Sequence, residues 1–156
     1  MLYRIACGFI ALSTLSTVTF GAPPYKGPGG QIEAAGVIAG AYMRTASTIE
    51  ACANHSQLKD RANRSLREYL NKNQQSYMDV MRKLPELAYA NGGNTEVQRL
   101  KRELEAGLTQ LESQAKENAR RQTQTVAQCK AYLDNVDKGM FDLKVNNNNE
   151  LTRILN

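Results

Sequence analysis

The chain has 156 residues, no tryptophan and three phenylalanines, and its 20 Lys and Arg against 15 Asp and Glu give a net charge of +5. This length is sufficient for one domain with a modest core, which aliphatic residues, alanine and tyrosine must fill. With one histidine and three cysteines, a structural zinc site, which needs three or four Cys and His ligands, is excluded once two cysteines pair.

Residues 1–22 have the layout of a cleavable secretory signal peptide. Arg4 carries the only charge, an uncharged run extends from Ile5 to Phe20, and the small residues Gly21 and Ala22 precede prolines. Serine and threonine dilute the run, which is shorter than the roughly 20 apolar residues of a membrane span. We therefore expect cleavage after Gly21 or Ala22 and export to the periplasm or the extracellular space, with an uncleaved anchor as the alternative.

Residues 23–30 combine prolines and glycines, which predicts a flexible leader before a single helical domain over residues 31–156. A first helix over residues 31–55 is predicted by apolar side chains that recur at alternating spacings of three and four residues. The members of this stripe are Ala35, Ile38, Tyr42, Thr45, Ile49 and Cys52. Because Cys52 belongs to the stripe, its side chain should point into the core.

A second helix is predicted over residues 57–84 by a similar stripe. Its members are Ala62, Leu66, Leu70, Asn73, Tyr77, either Val80 or Met81, and Leu84. We expect the helix to stop at Pro85, because the residue before a proline disfavours helical backbone angles. Residues 86–94 then form a connection, with Gly92 and Gly93 as its turn.

A third and longest helix is predicted over residues 96–137, with Thr95 and Gln98 as a capping box at its start. Residues 113–128 are rich in glutamine and threonine, which indicates either a solvated bridge or a kinked zone. Gly139 suits the position just past the helix end. The predicted fold class is all-α, an antiparallel up-down-up three-helix bundle with a long third helix.

An apolar segment follows the third helix and is expected to form a C-terminal latch. Its candidate interaction residues are Met140, Phe141 and Leu143. Exposed apolar side chains in a cluster often mark a site where a partner binds.

Cys52 and His55 lie one helical turn apart, which could support an activated thiolate or begin a metal site. Removal of the signal takes away Cys7 and leaves Cys52 and Cys129 in an oxidising compartment, and the chain has no C-x-x-C motif. We therefore predict a disulfide between Cys52 and Cys129, with an intermolecular bridge or free thiols as the alternatives. The chain-entropy model gives such a bond roughly 4.5 kcal/mol of stabilisation for a loop of this length. No catalytic residue, metal or cofactor is expected.

A candidate anionic-surface patch is predicted where basic residues outnumber acidic ones. It consists of Lys59, Arg61, Arg64 and Arg67, with Arg120 and Arg121 brought near by the bundle. Such a patch could contact lipid headgroups, polysaccharide or nucleic acid, but no fingerprint of a nucleic-acid fold occurs. An ordinary solvated face is the alternative.

The chain is therefore predicted to be a small exported non-catalytic helical protein, a protein-interaction or accessory module whose partner is another protein. The alternative is binding of an anionic polymer or of membrane headgroups through the basic patch. The layout of a signal followed by long polar helices is similar to that of minor pilus-tip subunits of type IV secretion systems. This similarity is one of layout and carries over no residue role.

Overall fold

The computed structural model describes residues 28–155, and every regular element among them is helical. Three longer helices are present: α1 spans Pro28–Cys52, α2 spans Lys59–Gln122 and α3 spans Val126–Asp137. A 3-10 turn at Ser56–Leu58 precedes α2, and two short helices follow α3, namely α4 at Leu143–Asn146 and α5 at Asn148–Leu155. No helix in this part of the chain is both long and apolar enough to cross a bilayer. The all-helical prediction is confirmed for these residues, whereas the predicted signal peptide lies outside them.

The stripe predicted for the first helix faces the core, with Ile38, Ile49 and Cys52 completely buried. The helix begins at Pro28 and ends at Cys52, so it starts inside the predicted leader and stops before His55. An early start is favourable because proline fits the first helical turn, where its missing N–H has no helical acceptor.

Helix α2 continues through Pro85, so the prediction that the second helix ends there was wrong. A proline inside a helix costs about 3 kcal/mol or more through its lost hydrogen bond and its steric clash. Pro85 itself is exposed, but Leu84, Leu87 and Ala88 around it are buried in one cluster with residues of α1. Each buried leucine contributes roughly 1.5–3 kcal/mol, so tertiary packing outweighs the local preference.

The turn predicted at Gly92 and Gly93 is present, because these two residues interrupt α2 with non-helical backbone angles. Leu84, before the pair, and Leu104, after it, line the same apolar cavity of about 210 Å³ together with residues of α1. The two halves of α2 therefore lie side by side. They are called α2N, before the glycine pair, and α2C, after it.

Gly93 has φ 65° and ψ −154°, a region of backbone space that is essentially restricted to glycine. We expect Gly93→Ala to lower the free energy of unfolding by about 1–3 kcal/mol. Gly107→Ala, within α2C, is the matched control, because an added Cβ meets no atom within 4 Å at either position. A helical glycine costs roughly 0.5–1 kcal/mol relative to alanine, so this control should stabilise the protein. Urea unfolding followed by circular dichroism measures both, and equal destabilisation would contradict strain at Gly93.

The predicted third helix is two helices, because α2C ends at Gln122 and α3 begins at Val126. The break falls in the zone where a kink was expected. The Thr123 hydroxyl donates to the Ala119 carbonyl at 2.7 Å, a local bond that competes with helical continuation. Thr125 then begins α3 with extended backbone angles.

A capping box stabilises the start of α3. The backbone N–H of Gln128 donates to Thr125 Oγ1 at 3.2 Å, and the backbone N–H of Thr125 donates to the side-chain Oε1 of Gln128 at 3.0 Å. Each side chain therefore satisfies a backbone donor of the first helical turn. The capping box predicted at Thr95 and Gln98 is not among the hydrogen bonds of the described residues.

Gly139 closes α3, as predicted for the residue past the helix end. It adopts φ 74°, its N–H donates to the Val136 carbonyl at 2.8 Å, and the Met140 N–H donates to the Asn135 carbonyl at 3.0 Å. This pair of bonds is a Schellman motif, which satisfies the last carbonyls of a helix and turns the chain away from its axis.

The core consists of two clusters joined by aromatic side chains. The first contains residues of α1, both halves of α2, α4 and α5, and the second surrounds Cys52 and Cys129. Tyr42 contacts both clusters, and its ring stacks on that of Tyr77 at 4.5 Å and on that of Tyr69 at 5.8 Å between centroids. The stacked tyrosine rings therefore join the two clusters into one continuous core.

Candidate functional site

The predicted disulfide between Cys52 and Cys129 is present, with an S–S distance of 2.17 Å and a Cα–Cα distance of 5.4 Å. Both cysteines are completely buried, and the Cα separation lies in the usual range for a disulfide. The bond joins the end of α1 to α3. Cys52 therefore has no thiol with which to act as a nucleophile.

His55 has a structural contact close to this bond. Its Nε2 lies 2.8 Å from the carbonyl oxygen of Thr123, so the ring N–H donates a hydrogen bond to this carbonyl. The bond connects the end of α1 to the break before α3. Among the described residues, no group of three or more His, Cys, Asp and Glu side chains is arranged to hold a metal ion.

Arg61, a member of the predicted basic patch, forms ion pairs with two aspartates of α3. Its Nη2 lies 2.7 Å from Asp134 Oδ1 and 2.7 Å from Asp137 Oδ2, and the Ser65 hydroxyl donates to Asp137 Oδ1 at 2.7 Å. Burial opposes ionisation of Asp137, but the hydrogen bonds from Arg61 and Ser65 outweigh it and lower the pKa of that carboxyl. Arg61 thus connects α2N to α3.

The other predicted patch residues lie in several local environments. Arg121 pairs with Glu117, and Arg120 lines a cleft of about 560 Å³ together with Glu50 and Asn54. The remaining members are exposed on or at the start of α2N: Lys59, Arg64 and Arg67. The sequence pattern overlooked Asp134 and Asp137, because these neighbours come from another helix.

We expect Arg61→Gln to lower the free energy of unfolding by roughly 1 kcal/mol at pH 7, the upper end for partly exposed ion pairs. Because the pKa of Asp137 is lowered by folding, its contribution is present above the unfolded value, about 3.9, and is lost as the pH falls through the folded value. The difference between wild type and variant should therefore shrink towards zero in acid. Urea unfolding at neutral and acidic pH measures this difference.

Arg102→Gln, at an exposed position of α2C, makes the same change in net charge and serves as the control. An Arg61→Gln effect that did not depend on pH would contradict the role assigned to the aspartates.

The predicted C-terminal latch is largely a buried anchor. Leu143 is completely buried, and its backbone N–H donates to Asn73 Oδ1 at 2.8 Å while Asn73 Nδ2 donates to the Tyr69 carbonyl at 2.9 Å. The Phe141 ring stacks on that of Tyr132 at 4.8 Å between centroids. The expectation that Leu143 is exposed was wrong, because a buried asparagine of α2N supplies the acceptor for its amide.

Two side chains near this anchor do point outward: Met140 is 55% exposed and Val145 is 69% exposed. This segment directly follows the Schellman turn at Gly139. Buried Asp142 holds the segment against α2N, because its Oδ2 lies 2.5 Å from Lys72 Nζ. An exposed apolar rim is therefore presented on a fixed backbone.

Met140 also lines a cleft of about 610 Å³ between α1, α2C, α3 and the segment after α3, which we call the amide cleft. Eight of its eleven lining residues carry hydrogen-bonding side chains, while apolar atoms contribute most of the lining surface. The lining residues are Ala41, Arg44, Thr45, Thr48, Asn118, Gln122, Tyr132, Met140, Phe141, Asn146 and Asn147. The sequence prediction missed this cleft, and its one signal was the concentration of amides in the polar middle of the third helix and in the asparagine run.

Arg44 is the one lining residue that carries a full charge at neutral pH. Among the described residues, no carboxylate forms an ion pair with its guanidinium group. Burial raises the pKa of Tyr132, while the hydroxyls of Thr45 and Thr48 and the charge of Arg44 act in the opposite direction. The cleft thus combines one unpaired cation with a group of hydroxyls.

Tyr69 is close to Thr45 of this group and lines a separate cleft of about 110 Å³. Its hydroxyl is buried and makes no hydrogen bond of good geometry in the described residues, although Thr45 is close enough to influence its ionisation. Burial raises the pKa of Tyr69, so its hydroxyl remains protonated and available as a donor.

Comparison of the chain with protein-family models, with curated proteins and with solved structures found no match. The function is therefore inferred from the geometry of the chain itself.

Proposed function

We propose that the protein is a small exported non-catalytic helical module that binds another protein through the face that carries the amide cleft. The observation that carries this proposal is the rim of Met140 and Val145, which exposes apolar side chains beside the amides of Asn146 and Asn147. Apolar contacts surrounded by hydrogen-bonding groups are the usual anatomy of a protein interface.

The chemistry of Cys52 and His55 supports a non-catalytic role, since the sulfur is in a disulfide and the ring is bound to a backbone carbonyl. The disulfide also supports export to the periplasm or the extracellular space, because such bonds persist in oxidising compartments. In this proposal α1, α2N and α2C run up, down and up as an antiparallel three-helix bundle, which gives the interface a rigid support.

Site-specific photocrosslinking tests the proposal. A photoreactive phenylalanine analogue replaces Met140 in the full chain, expressed in its native host, and the same analogue replaces Gln74, which is exposed on α2N, as the matched control. We expect a protein adduct of defined mass from position 140 and none from position 74. No adduct, or the same adducts from both positions, would contradict the proposal.

A second candidate function is binding of an anionic polymer or of membrane headgroups by the basic patch. It is favoured by the exposure of Lys59, Arg64 and Arg67, of which Arg64 and Arg67 are three residues apart and share a helix face. Binding of vesicles that contain anionic lipid should then weaken steeply as salt rises, and replacement of these three residues by glutamine should abolish it. A protein interface at the apolar rim should respond little to salt.

A further inference from the structure

We infer that the amide cleft accepts an extended segment of the partner protein that carries a carboxylate next to an apolar side chain. This inference rests on the proposed function and specifies the chemistry of the partner. The charge of the lining, its hydrogen-bonding groups and the exposed methionine at its edge support it.

The charge of the lining favours an anionic group. Arg44 is cationic, and no Asp or Glu is among the residues that line the cleft. A guanidinium group offers a planar pair of donors that matches the two oxygens of a carboxylate. Because no carboxylate of the described chain pairs with Arg44, this donor pair is open to a ligand.

The amides favour a polypeptide backbone next to that carboxylate. Asn118 and Gln122 are four residues apart on α2C and therefore share one helix face, while Asn146 and Asn147 line the cleft from the segment after α3. Asn146 already donates from Nδ2 to the carbonyls of Met140 and Asp142, so it offers a ligand its acceptor oxygen. The amides of the other three residues each present donors and an acceptor. An extended peptide presents the complementary N–H and C=O groups along its length, whereas a simple anion would use the donors alone.

The apolar edge provides room for a side chain of the same segment. Met140 is 55% exposed, and Phe141, stacked on Tyr132, lines the cleft beside it. Methionine is flexible and polarisable, so it adapts to apolar groups of different shape. We therefore expect a medium-sized aliphatic or aromatic residue within one or two positions of the carboxylate.

A buried hydroxyl close to the cleft is a second observation. Tyr69 is 4% exposed and its hydroxyl has no hydrogen-bond partner among the described residues, which is unusual for a buried polar group. Tyr69 lines a neighbouring cleft with Ser65 and Asp142, and its side chain lies beside Thr45, which lines the amide cleft. A ligand atom that binds Thr45 would let this hydroxyl reorient and complete the network.

Residues 1–27 of the chain do not provide the acidic side chain of the segment that we propose fills the cleft. Residues 1–27, which precede the described part of the chain, contain neither Asp nor Glu, so they cannot supply the carboxylate side chain that Arg44 would bind. A partner protein is therefore the expected source.

Selection from a random peptide library tests the inference and does not require that the partner be identified first. The peptides carry blocked ends and are selected in parallel on the wild-type chain, on Arg44→Gln and on Arg102→Gln, which is exposed on α2C and makes the same charge change. We expect the wild type and Arg102→Gln to enrich peptides with Asp or Glu next to an apolar residue. Selected peptides should bind Arg44→Gln about 10-fold or more weakly, as expected for the loss of a charge-assisted hydrogen bond.

Asn118→Ala is a second variant that should weaken the selected peptides without changing their preference for acidic residues. Enrichment without acidic residues, enrichment that does not depend on Arg44, or no enrichment at all would overturn the inference. Dimerisation of the chain that Arg44→Gln abolishes would also overturn it, because the occupant would then be a second copy. An adduct from position 140 together with a failed selection would leave the proposed function in place and remove only the inference.

Discussion

Replacement of both Cys52 and Cys129 by alanine is expected to lower the free energy of unfolding by about 4 kcal/mol and the Tm by roughly 10–20 °C. The bond spans a sequence separation of 77 residues, for which the chain-entropy model gives roughly 4.5 kcal/mol. A domain of this size has a total stability of about 5–15 kcal/mol. Differential scanning calorimetry and urea unfolding of the two proteins measure the loss.

The wild-type protein treated with a reducing agent is the matched control for this variant. Reduction should bring the Tm of the wild type close to that of the double variant and should leave the double variant unchanged. Both sulfurs lie in the second core cluster with Leu133 and Ile49. A reduced wild type that remains more stable than the double variant would therefore assign part of the loss to packing. A double variant as stable as the oxidised wild type would contradict a stabilising role for the bond.

Leu143→Ala is expected to lower the free energy of unfolding by about 2–5 kcal/mol, as for other completely buried leucines. Leu143 packs in the first core cluster with Ile38 and Ile154, and truncation leaves a cavity that its neighbours fill only in part. Met140→Ala, three residues earlier and 55% exposed, should change the stability by no more than about 0.5 kcal/mol. Urea unfolding of the two variants measures the contrast.

The order of the two effects should reverse when peptide binding is measured instead of stability. Met140→Ala should weaken the binding of peptides selected on the wild type, whereas Leu143→Ala, studied below its Tm, should bind them nearly normally. Equal losses of stability in the two variants would contradict the division of this segment into a buried anchor and an exposed rim.

The parts of the fold that the sequence predicted depend on short periodicities. The stripe of α1 placed Ile38, Ile49 and Cys52 in the core because helical spacing brings such residues onto one face. The pairing of Cys52 with Cys129 followed from the number of cysteines and the expected compartment. The turn at Gly92 and Gly93 followed from the backbone freedom of glycine, which is a local property.

The parts that the sequence did not predict depend on contacts between distant segments. Helix α2 continues through Pro85 because α1 packs against Leu84 and Leu87 on either side of it. The free energy of this packing does not enter a prediction from helix propensity alone. Arg61 was assigned to an open basic patch because its partners, Asp134 and Asp137, are more than seventy residues away along the chain. A prediction from neighbouring residues counts such charges as free.

The amide cleft was missed for a related reason. Its walls come from four separate segments, and Arg44, Asn118 and Asn146 are unremarkable as individual polar residues. These residues line one cleft only because the break at Thr123 and the turn at Gly139 bring α3 and the segment after it back against α1. A pattern of amides can suggest a polar surface, but it cannot show that the amides face one another.

The bond between Cys52 and Cys129 also makes both halves of α2 part of one covalent ring, and the exposed turn at Gly92 lies within that ring. A protease that cuts this turn would open the ring without releasing either piece. The nicked protein would migrate as a single species until reduction separated it into two fragments. The cut would thus convert one chain into a two-chain molecule that keeps Arg44 on one fragment and Met140 on the other, with the sulfurs holding both walls of the cleft together.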